Sequence, residues 1–330
     1  MAVQVDNRLS SMSVRVRTVL LRQETTLLLV ILVLAALTAW VNPAFLQPQN
    51  LLEILRNSSI LFVVGSGTAM LIIGGGLDFS IGAVFTLGAI STALLLVAGM
   101  NWVLALVIGI GVGALAGLVN FLIITYLHVP PIIATLGVFF ILVGVNTQIT
   151  GGTDVLPLPD EFRELTQGSF IGLPNIVWCA LGVGVLIWFL LERTVFGVNV
   201  RALGGNRNAA IANGLRISRI DLALYIISAT AAAFGGILFA ARVGAGQVTA
   251  GGATLTLTAI TAVLIGGISL FGGLGTVSGV AAGAILLSLV DNAIILARIP
   301  PQYNSIIVGT VLIGAVAFDY LRRQQLYRKR

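Results

Sequence analysis

The sequence predicts an all-α polytopic membrane protein with about ten transmembrane helices, some of them short or broken. The first observation is composition: of 330 residues, 58% are hydrophobic and only 9% are charged, and the mean hydropathy is +1.06. Water-soluble domains carry about 25% charged residues. The second observation is a series of apolar segments near the roughly 20 residues that a membrane-spanning helix needs. The third is the concentration of basic residues at both ends of the chain.

Ten apolar segments are predicted to cross the membrane. Several contain only 14 to 17 residues. These short segments must tilt little, borrow flanking residues or enter the membrane only part way. An even number of crossings places both termini on the same side. The predicted segments are 25–41, 52–73, 81–97, 103–124, 132–149, 176–191, 221–240, 255–269, 277–290 and 305–318.

Basic residues set the orientation. The N-terminal arm, residues 1–24, carries four arginines, and the tail, residues 321–330, carries four arginines and a lysine. Since such residues accumulate at cytoplasmic helix ends, both termini are predicted to be cytoplasmic. The loop 150–175 holds four acids against one arginine, which is consistent with the outer face. Residues 25–320 are then predicted to form a single transmembrane domain.

Several function classes are excluded by missing residue types. The only lysine is Lys329, so the chain cannot contain a phosphate-binding G-x-x-x-x-G-K-[ST] loop and does not hydrolyse ATP by that chemistry. One histidine, His128, and one cysteine, Cys179, supply no set of zinc ligands. The formal net charge of +6 is accounted for by cytoplasmic helix ends and anionic headgroups. We therefore expect no catalytic, metal or cofactor site in this chain and no nucleic-acid partner.

Residues 192–219 form a polar, glycine-punctuated loop between two hydrophobic segments. The loop contains five arginines against the single acid Glu192, which predicts a cytoplasmic location. Within it, Asn206 is placed to cap the start of a short helix, and Gly214 fits a left-handed C-terminal cap. A helix of about two turns is marginal alone in water and needs a packing partner. The loop is therefore predicted to be a docking surface, with Arg207 exposed on it.

Glycine-rich stretches predict broken helices along a substrate pathway. The chain has 39 glycines, and they allow close helix approach and interrupted helices at membrane depth. One stretch, residues 74–80, places Asp78 and Ser80 just before a helix predicted to begin at Ile81. Either side chain would cap that helix by accepting from its free N–H groups, or the carboxylate would take part in gating. The sequence leaves both interpretations open.

A second glycine-rich stretch, residues 266–275, joins the eighth and ninth predicted segments. Its lead-in, residues 261–265, is similar to residues 68–72 before the first stretch. The similarity suggests an internal repeat of the kind that transporters use, with both copies running in the same direction. The alternative is a tight helix hairpin packed through glycine, and the sequence does not choose between the two.

Five motifs resemble, in order and spacing, those of one known family. They are NPAF at 42–45 with NL at 50–51, GGGLDFSIG at 74–82, VPPIIATLG at 129–137, GGNRNAAIANGL at 204–215 and GGISLFGGLGTVSG at 266–279. Over nearly its whole length, the chain resembles the membrane-spanning permease subunits of bacterial ABC importers, in the ribose-type monosaccharide branch. It departs from that pattern at Phe79, where leucine is usual, at Asn213, where small residues such as serine are common, and at His128, where lysine is frequent.

The resemblance implies a translocation subunit, not an enzyme, in the bacterial cytoplasmic (inner) membrane. Two permease subunits, identical or sister chains, would form the pathway. Two ATP-binding subunits would hold ATP and magnesium and dock below, and an extracytoplasmic solute-binding protein would deliver the solute. The residues implied in coupling to the ATPase are Gly204, Gly205, Asn206, Arg207, Ala209, Ala210, Gly214 and Leu215. The candidates for gating or for the pathway are Gly75, Gly76, Asp78, Ser80, Pro130, Pro131, Thr135, Gly266 and Gly267.

The substrate implied by the resemblance is a sugar or a sugar-like solute, and a neutral polyol suits spans with so few charges. A branched-chain amino-acid ABC permease is one alternative, because related glycine-rich hairpins occur there. An ATPase-independent secondary transporter is the other alternative. It would need an ion- or proton-coupling site, for which Asp78, Asp221 and Asp291 are the only acids near the membrane. All three lie at predicted span ends, which argues against that alternative.

Overall fold

The computed structural model describes residues 23–300 and 302–328. Residues 1–22 of the predicted N-terminal arm and the last two residues of the tail lie outside the described residues. The chain is 78% helical, with 13 α-helices in the described part, which confirms the all-α prediction. The helices are α1 (Gln23–Val41), α2 (Pro48–Ile73), α3 (Ile81–Val97), α4 (Trp102–Tyr126), α5 (Pro131–Thr150), α6 (Asp160–Gln167), α7 (Asn175–Glu192), α8 (Val195–Gly205), α9 (Arg207–Ala212), α10 (Ile217–Val243), α11 (Gly252–Ile265), α12 (Val277–Leu296) and α13 (Gln302–Arg328).

Within residues 23–300 and 302–328, six helices are long and apolar enough to cross a membrane, namely α2, α4, α5, α7, α10 and α12. Four shorter apolar helices, α1, α3, α11 and α13, coincide with the remaining predicted segments. The chain is therefore a polytopic membrane protein. The third predicted segment, 81–97, agrees with α3 at both ends.

The predicted end of the eighth segment is wrong. The sequence predicts a helix over 255–269, whereas α11 begins at Gly252 and ends at Ile265. Gly267 has a φ of 92°, a left-handed conformation that ends a right-handed helix, so the last four predicted residues belong to a loop.

Two elements were not predicted within the loop 150–175. Helix α6 is followed by a short antiparallel hairpin of β1 (Ser169–Phe170) and β2 (Leu173–Pro174). Helix α6 is held by Phe162, which is fully buried against α10. The loop is therefore a folded cap on one end of the helix bundle.

Helix α10 lies at the centre of the bundle and packs against α2, α3 and α4. Its inward face is built from small residues such as Ala229, Ala232 and Ala233, all fully buried. Small side chains let the helix backbones approach closely, which is how helices associate in a membrane. Phe85 of α3 fills space beside them and packs against Phe239, with ring centroids 5.7 Å apart.

Contacts between loops define the two ends of the bundle. At one end, the Gly273 N–H donates a hydrogen bond of 2.8 Å to the Ile73 carbonyl, and Gly204 packs against both residues. We call this end, which carries α8 and α9, the basic-loop end. At the opposite end, Arg242 at the end of α10 forms an ion pair of 2.5 Å with Glu53 near the start of α2.

Candidate functional site

The polar loop 192–219 contains two helices, of which the sequence predicted only α9. The first helix, α8, starts at a cap in which Thr194 Oγ1 accepts a hydrogen bond from the Gly197 N–H at 3.3 Å. Val200 and Leu203 of α8 are buried in the same hydrophobic cluster as the end of α2. Because α8 is anchored to the bundle in this way, it fixes the position of α9 at its end.

Helix α9 has the start and the end that the sequence predicts. Asn206 Oδ1 accepts a hydrogen bond from the Ala209 N–H at 3.0 Å, which satisfies one of the free donors of the first turn. Gly214 has a φ of 78°, and its N–H bonds to the Ile211 carbonyl at 2.9 Å. The Leu215 N–H bonds to the Ala210 carbonyl at 3.1 Å. These two bonds form a Schellman motif, which glycine favours because it has no Cβ.

The two faces of α9 differ sharply in exposure. Ala210 is 3% exposed and packs in a cluster with Leu203 and Ile220, so the predicted packing partner of α9 is the chain itself. Ala209 is exposed, and the Ile211 side chain is 57% exposed. The face that remains for another protein therefore includes Ala209 and Ile211 but not Ala210.

Two arginines of the loop hold its helices in place. Arg207 is exposed, as predicted, and its guanidinium pairs with Asp221 of α10 at 2.6 Å. Arg201 of α8 pairs with Glu192 and also donates to the Gly275 carbonyl at 3.0 Å. These pairs tie α9 to α10, and α8 to the end of α7 and to the loop after α11.

Three glycine-rich runs meet where α8 joins α9. A Cβ atom at residue 204 would overlap the Ile73 carbonyl oxygen and would lie 2.6 Å from the Gly273 nitrogen. The two residues that contact Gly204 are also bonded to each other, because the Gly273 N–H donates to the Ile73 carbonyl. We call this contact of Ile73, Gly204 and Gly273 the glycine junction. The first run approaches it at Gly75, where a Cβ would lie 3.7 Å from the Gly204 Cα.

The segment 74–80 carries a buried polar cluster. Asp78 is 1% exposed, and one of its carboxylate oxygens accepts hydrogen bonds from the Ser80 N–H at 2.7 Å and the Ser80 hydroxyl at 2.6 Å. The Asn120 amide of α4 donates to Ser80 Oγ at 2.8 Å. The prediction that Asp78 or Ser80 caps α3 is wrong, because neither side chain bonds to a first-turn N–H of that helix. The carboxylate instead folds the turn before it.

Helices α3 and α11 begin against each other inside the molecule. The Gly82 N–H donates to Thr256 Oγ1 at 3.0 Å, and the Gly251 N–H donates to Thr86 Oγ1, also at 3.0 Å. Each threonine hydroxyl donates in turn to the carbonyl four residues before it, at 3.2 Å for Thr86 and 3.1 Å for Thr256. We call this reciprocal arrangement the threonine clasp. The clasp was not predicted, although GAVFT at 82–86 and GATLT at 252–256 carry the same sequence pattern.

The lengths of these two helices fit broken spans. Helix α3 has 17 residues and α11 has 14. At 1.5 Å per residue these lengths are about 25 Å and about 21 Å, less than the roughly 30 Å of the hydrocarbon core. Both are short because their N-terminal ends lie inside the bundle, where each is preceded by a non-helical segment, 74–80 for α3 and 244–251 for α11.

The remaining pathway candidates are spread over the molecule. Thr135 of α5 lies beside the polar cluster, where its hydroxyl accepts from the Phe79 N–H at 3.1 Å. Pro130 and Pro131 are exposed at the start of α5. Gly266 packs backbone to backbone against Gly279 of α12, which is the arrangement of a tight hairpin. Gly267 follows it in the loop, and Gly76 lies against Leu71 within the first run.

In the described part of the chain, no group of three or more His, Cys, Asp and Glu side chains is placed to hold a metal ion. The fold defines the class of protein instead: a polytopic membrane protein with two helices interrupted inside the bundle and a folded basic loop at one end, as in transport subunits.

The chain belongs to the family described as "Branched-chain amino acid transport system / permease component", whose pattern matches residues 50–316. It is thus a permease, a translocation component and not an enzyme, of the inner membrane. No solved structure matches it.

Three relatives show which permeases of this family the chain resembles in sequence. The chain is 34% identical over 312 residues to an autoinducer 2 import system permease protein of Klebsiella pneumoniae subsp. pneumoniae, covering 94% of this chain and 90% of the relative. It is 32% identical over 278 residues to the D-allose transport system permease protein of Escherichia coli, covering 84% and 85%. It is 31% identical over 221 residues to the ribose import permease protein of Bacillus subtilis, covering 66% and 69%.

Proposed function

We propose that this permease imports a sugar or a sugar-like solute by alternating access, driven by ATP hydrolysis on a separate subunit. The observation that carries the proposal is that the relatives described above are named for ribose, D-allose and autoinducer 2. The family description names branched-chain amino acids. An amino acid at neutral pH carries two charges that would need partners in the pathway. The buried carboxylate of Asp78 is already engaged by Ser80, which favours a neutral solute.

The proposed topology has ten spans, with both termini and the basic-loop end in the cytoplasm. Ten apolar helices support the count. The arginines of residues 192–219 and the acids of the loop 150–175 support the orientation, since basic residues accumulate on the cytoplasmic side. Alternating access is consistent with the glycine junction, where the ends of α2 and α8 and the loop after α11 lie together.

The proposed coupling element is α9 with its flanking residues. Its exposed face, with Ala209 and Ile211, would dock on the ATP-binding subunit. Movement of α9 would reach the glycine junction because α9 begins three residues after Gly204, with only Gly205 and Asn206 between them. Contacts between side chains can adapt to a displacement of α9 by changing rotamer, but a contact between backbone atoms cannot. The end of α2 and the loop after α11 would therefore move with α9.

The proposed gate is the region where the two broken helices meet. The segment 74–80 links the glycine junction to the start of α3, and the threonine clasp links α3 to α11. The polar cluster of Asp78, Ser80 and Asn120 holds this segment folded. A shift of α2 and α11 would thus be passed to the middle of the bundle, where alternating access requires a change.

The proposed assembly contains two copies of the ATP-binding subunit, which hold ATP and magnesium, and a second permease subunit, identical or sister. A solute-binding protein would deliver the solute at the opposite end. The folded cap formed by α6 and the hairpin β1–β2 presents an exposed surface there, including Phe170 and Ile171. Its acidic and basic side chains, such as Asp160 and Arg163, would supply specificity.

Uptake measurements test the function. The chain is expressed with its ATP-binding and solute-binding subunits in cells that lack their own uptake of ribose, allose and autoinducer 2. We expect uptake of one of these solutes that stops when the ATP-binding subunit is omitted. Uptake of leucine instead would contradict the substrate class, and uptake that continues without the ATP-binding subunit would contradict the energy source.

A further inference from the structure

The five arginines of the loop 192–219 differ in whether the chain supplies a partner. Arg201 pairs with Glu192, and Arg207 pairs with Asp221. Arg193 lies over the ring of Trp188, 5.1 Å from its centroid.

Arg216 and Arg219 are exposed, and neither forms an ion pair with any acid in the described part of the chain. The two acids nearest in sequence, Glu192 and Asp221, already form ion pairs with Arg201 and Arg207. Two positive charges of the loop are therefore left uncompensated, and they lie close together.

These two arginines line one cavity. It has a volume of about 350 Å³ and lies between α8, the end of α9 and the start of α10. Its other polar walls are Asn199 and Asn213, and it contains no acidic residue. The cavity is therefore a positively charged recess lined by guanidinium and amide groups, all of which can donate hydrogen bonds to a carboxylate.

The stability of α10 does not explain the presence of two arginines, Arg216 and Arg219, at its start. Arg216 immediately precedes α10 and Arg219 lies in its first turn, and this helix of 27 residues starts without a side-chain cap. The positive end of a helix dipole disfavours cations by about 0.3–1 kcal/mol each. The helix gains nothing from these charges, so both exposed side chains remain available to a partner of opposite charge.

We propose that this cavity receives an acidic side chain of the ATP-binding subunit. The proposal rests on the proposed function, in which α9 docks on that subunit, and it adds the chemistry of the contact. The cavity shares Asn213, Gly214 and Leu215 with the end of α9, so any protein seated on α9 also covers the cavity.

The neighbouring surface favours a protein rather than a lipid as the source of the charge. Ile211 is 57% exposed, one turn from the cavity, and provides an apolar anchor beside the charged recess. An apolar anchor with charges at its rim is the usual anatomy of a protein interface. Leu215 and Ile220 are the only aliphatic side chains that line the cavity, so it offers little for an acyl chain.

The test uses the assembled importer, purified with its ATP-binding subunit. The double variant Arg216→Gln with Arg219→Gln removes both charges. We expect it to weaken binding of the ATP-binding subunit about tenfold at physiological salt and to flatten the salt dependence of binding. The double variant Arg216→Lys with Arg219→Lys keeps the charges and should retain most of the affinity. Arg193→Gln removes one charge of the same loop outside the cavity and should leave binding unchanged.

A charge reversal identifies the partner group. Arg219→Glu should abolish binding, and one acid-to-lysine change on the ATP-binding subunit should restore it. Wild-type affinity and salt dependence in the Arg216→Gln, Arg219→Gln variant would overturn the inference while leaving the proposed function intact. So would a variant that keeps the ATP-binding subunit but loses binding to phosphatidylglycerol vesicles, since the occupant would then be a lipid. If the wild-type chain binds no ATP-binding subunit, the proposed function itself fails.

Discussion

The backbone of Gly204 packs directly against the carbonyl oxygen of Ile73, with no space for a Cβ atom between them. The same oxygen accepts the Gly273 N–H at 2.8 Å. Three segments that are far apart in sequence, the end of α2, the end of α8 and the loop after α11, are therefore fixed to one another through backbone atoms. Helix α9 begins three residues after Gly204, so this contact connects the proposed docking surface to the ends of α2 and α8 and to the loop after α11.

The first prediction concerns the glycine junction. Gly204→Ala places a methyl group into backbone atoms of Ile73 and Gly273, so the loops must separate. We expect a stability loss of about 1–3 kcal/mol, as for other overpacked sites. We also expect at least a roughly tenfold loss of solute-stimulated ATP hydrolysis, equivalent to about 1.4 kcal/mol of coupling.

Gly205→Ala is the matched control for that prediction. It adds the same methyl group one residue later, where no atom lies within 4 Å. Thermal unfolding and ATP hydrolysis are measured for both variants. Equal behaviour of the two variants would show that the tight contact at Gly204 carries no coupling.

The second prediction separates the two faces of α9. Ala209→Arg adds charge and bulk on the exposed face, so the chain should fold normally and lose the ATP-binding subunit on purification. Ala210→Arg forces a charged side chain into the cluster around Leu203 and Ile220, so the chain itself should be destabilised, by 3 kcal/mol or more in rough terms. Co-purification and thermal unfolding distinguish the outcomes. A stable Ala210→Arg chain would contradict the assigned orientation of α9.

The third prediction concerns the threonine clasp. Thr256→Val removes the acceptor of the buried Gly82 N–H, and Thr86→Val removes that of the Gly251 N–H. An unsatisfied buried N–H costs about 1–3 kcal/mol. We expect each variant to unfold more easily by that amount.

A double-mutant cycle shows whether the two bonds act together. Because both lie at one contact between α3 and α11, the double variant should cost less than the sum of the single variants. Thr147→Val is the control, since Thr147 is on the surface of α5 and bonds only within its own helix. Single variants as stable as the control would argue against the clasp.

The fourth prediction concerns Asp78. Its carboxylate accepts two hydrogen bonds from Ser80, and an asparagine at this position keeps an oxygen that can accept them. Asp78→Asn should therefore retain ATP-driven uptake within about threefold, less than 1 kcal/mol on the rate scale. Asp78→Leu leaves the buried Ser80 N–H without an acceptor and should abolish uptake. If Asp78→Asn also abolishes uptake, the negative charge is required and a proton- or ion-coupled mechanism regains support.

The sequence predicted best where the signal is local. The third segment agrees with α3 at both ends because Ser80 and the glycines before it stop any earlier helix. The caps of α9 at Asn206 and Gly214 were predicted because both depend on residues a few positions apart. Hydropathy alone located all the long apolar helices.

The sequence failed where contacts distant in the chain decide the structure. Helix α8 was not predicted because it contains no long run of hydrophobic residues. It is stabilised instead by the burial of Val200 and Leu203 against the bundle. The pairing of Gly82 with Thr256 joins residues 174 positions apart. The expectation that Asp78 or Ser80 caps α3 failed for the same reason, since Thr256 of α11 takes the Gly82 N–H.

The most direct test of the account is ATP-driven transport by the reconstituted importer. The chain, its ATP-binding subunit and its solute-binding protein are placed in liposomes, and uptake of ribose, allose and autoinducer 2 is measured with ATP or with an ion gradient alone. We expect the wild-type chain to transport one of these solutes only with ATP, and we expect Ala209→Arg to abolish this transport. Transport under an ion gradient without ATP, unchanged by Ala209→Arg, would contradict the account.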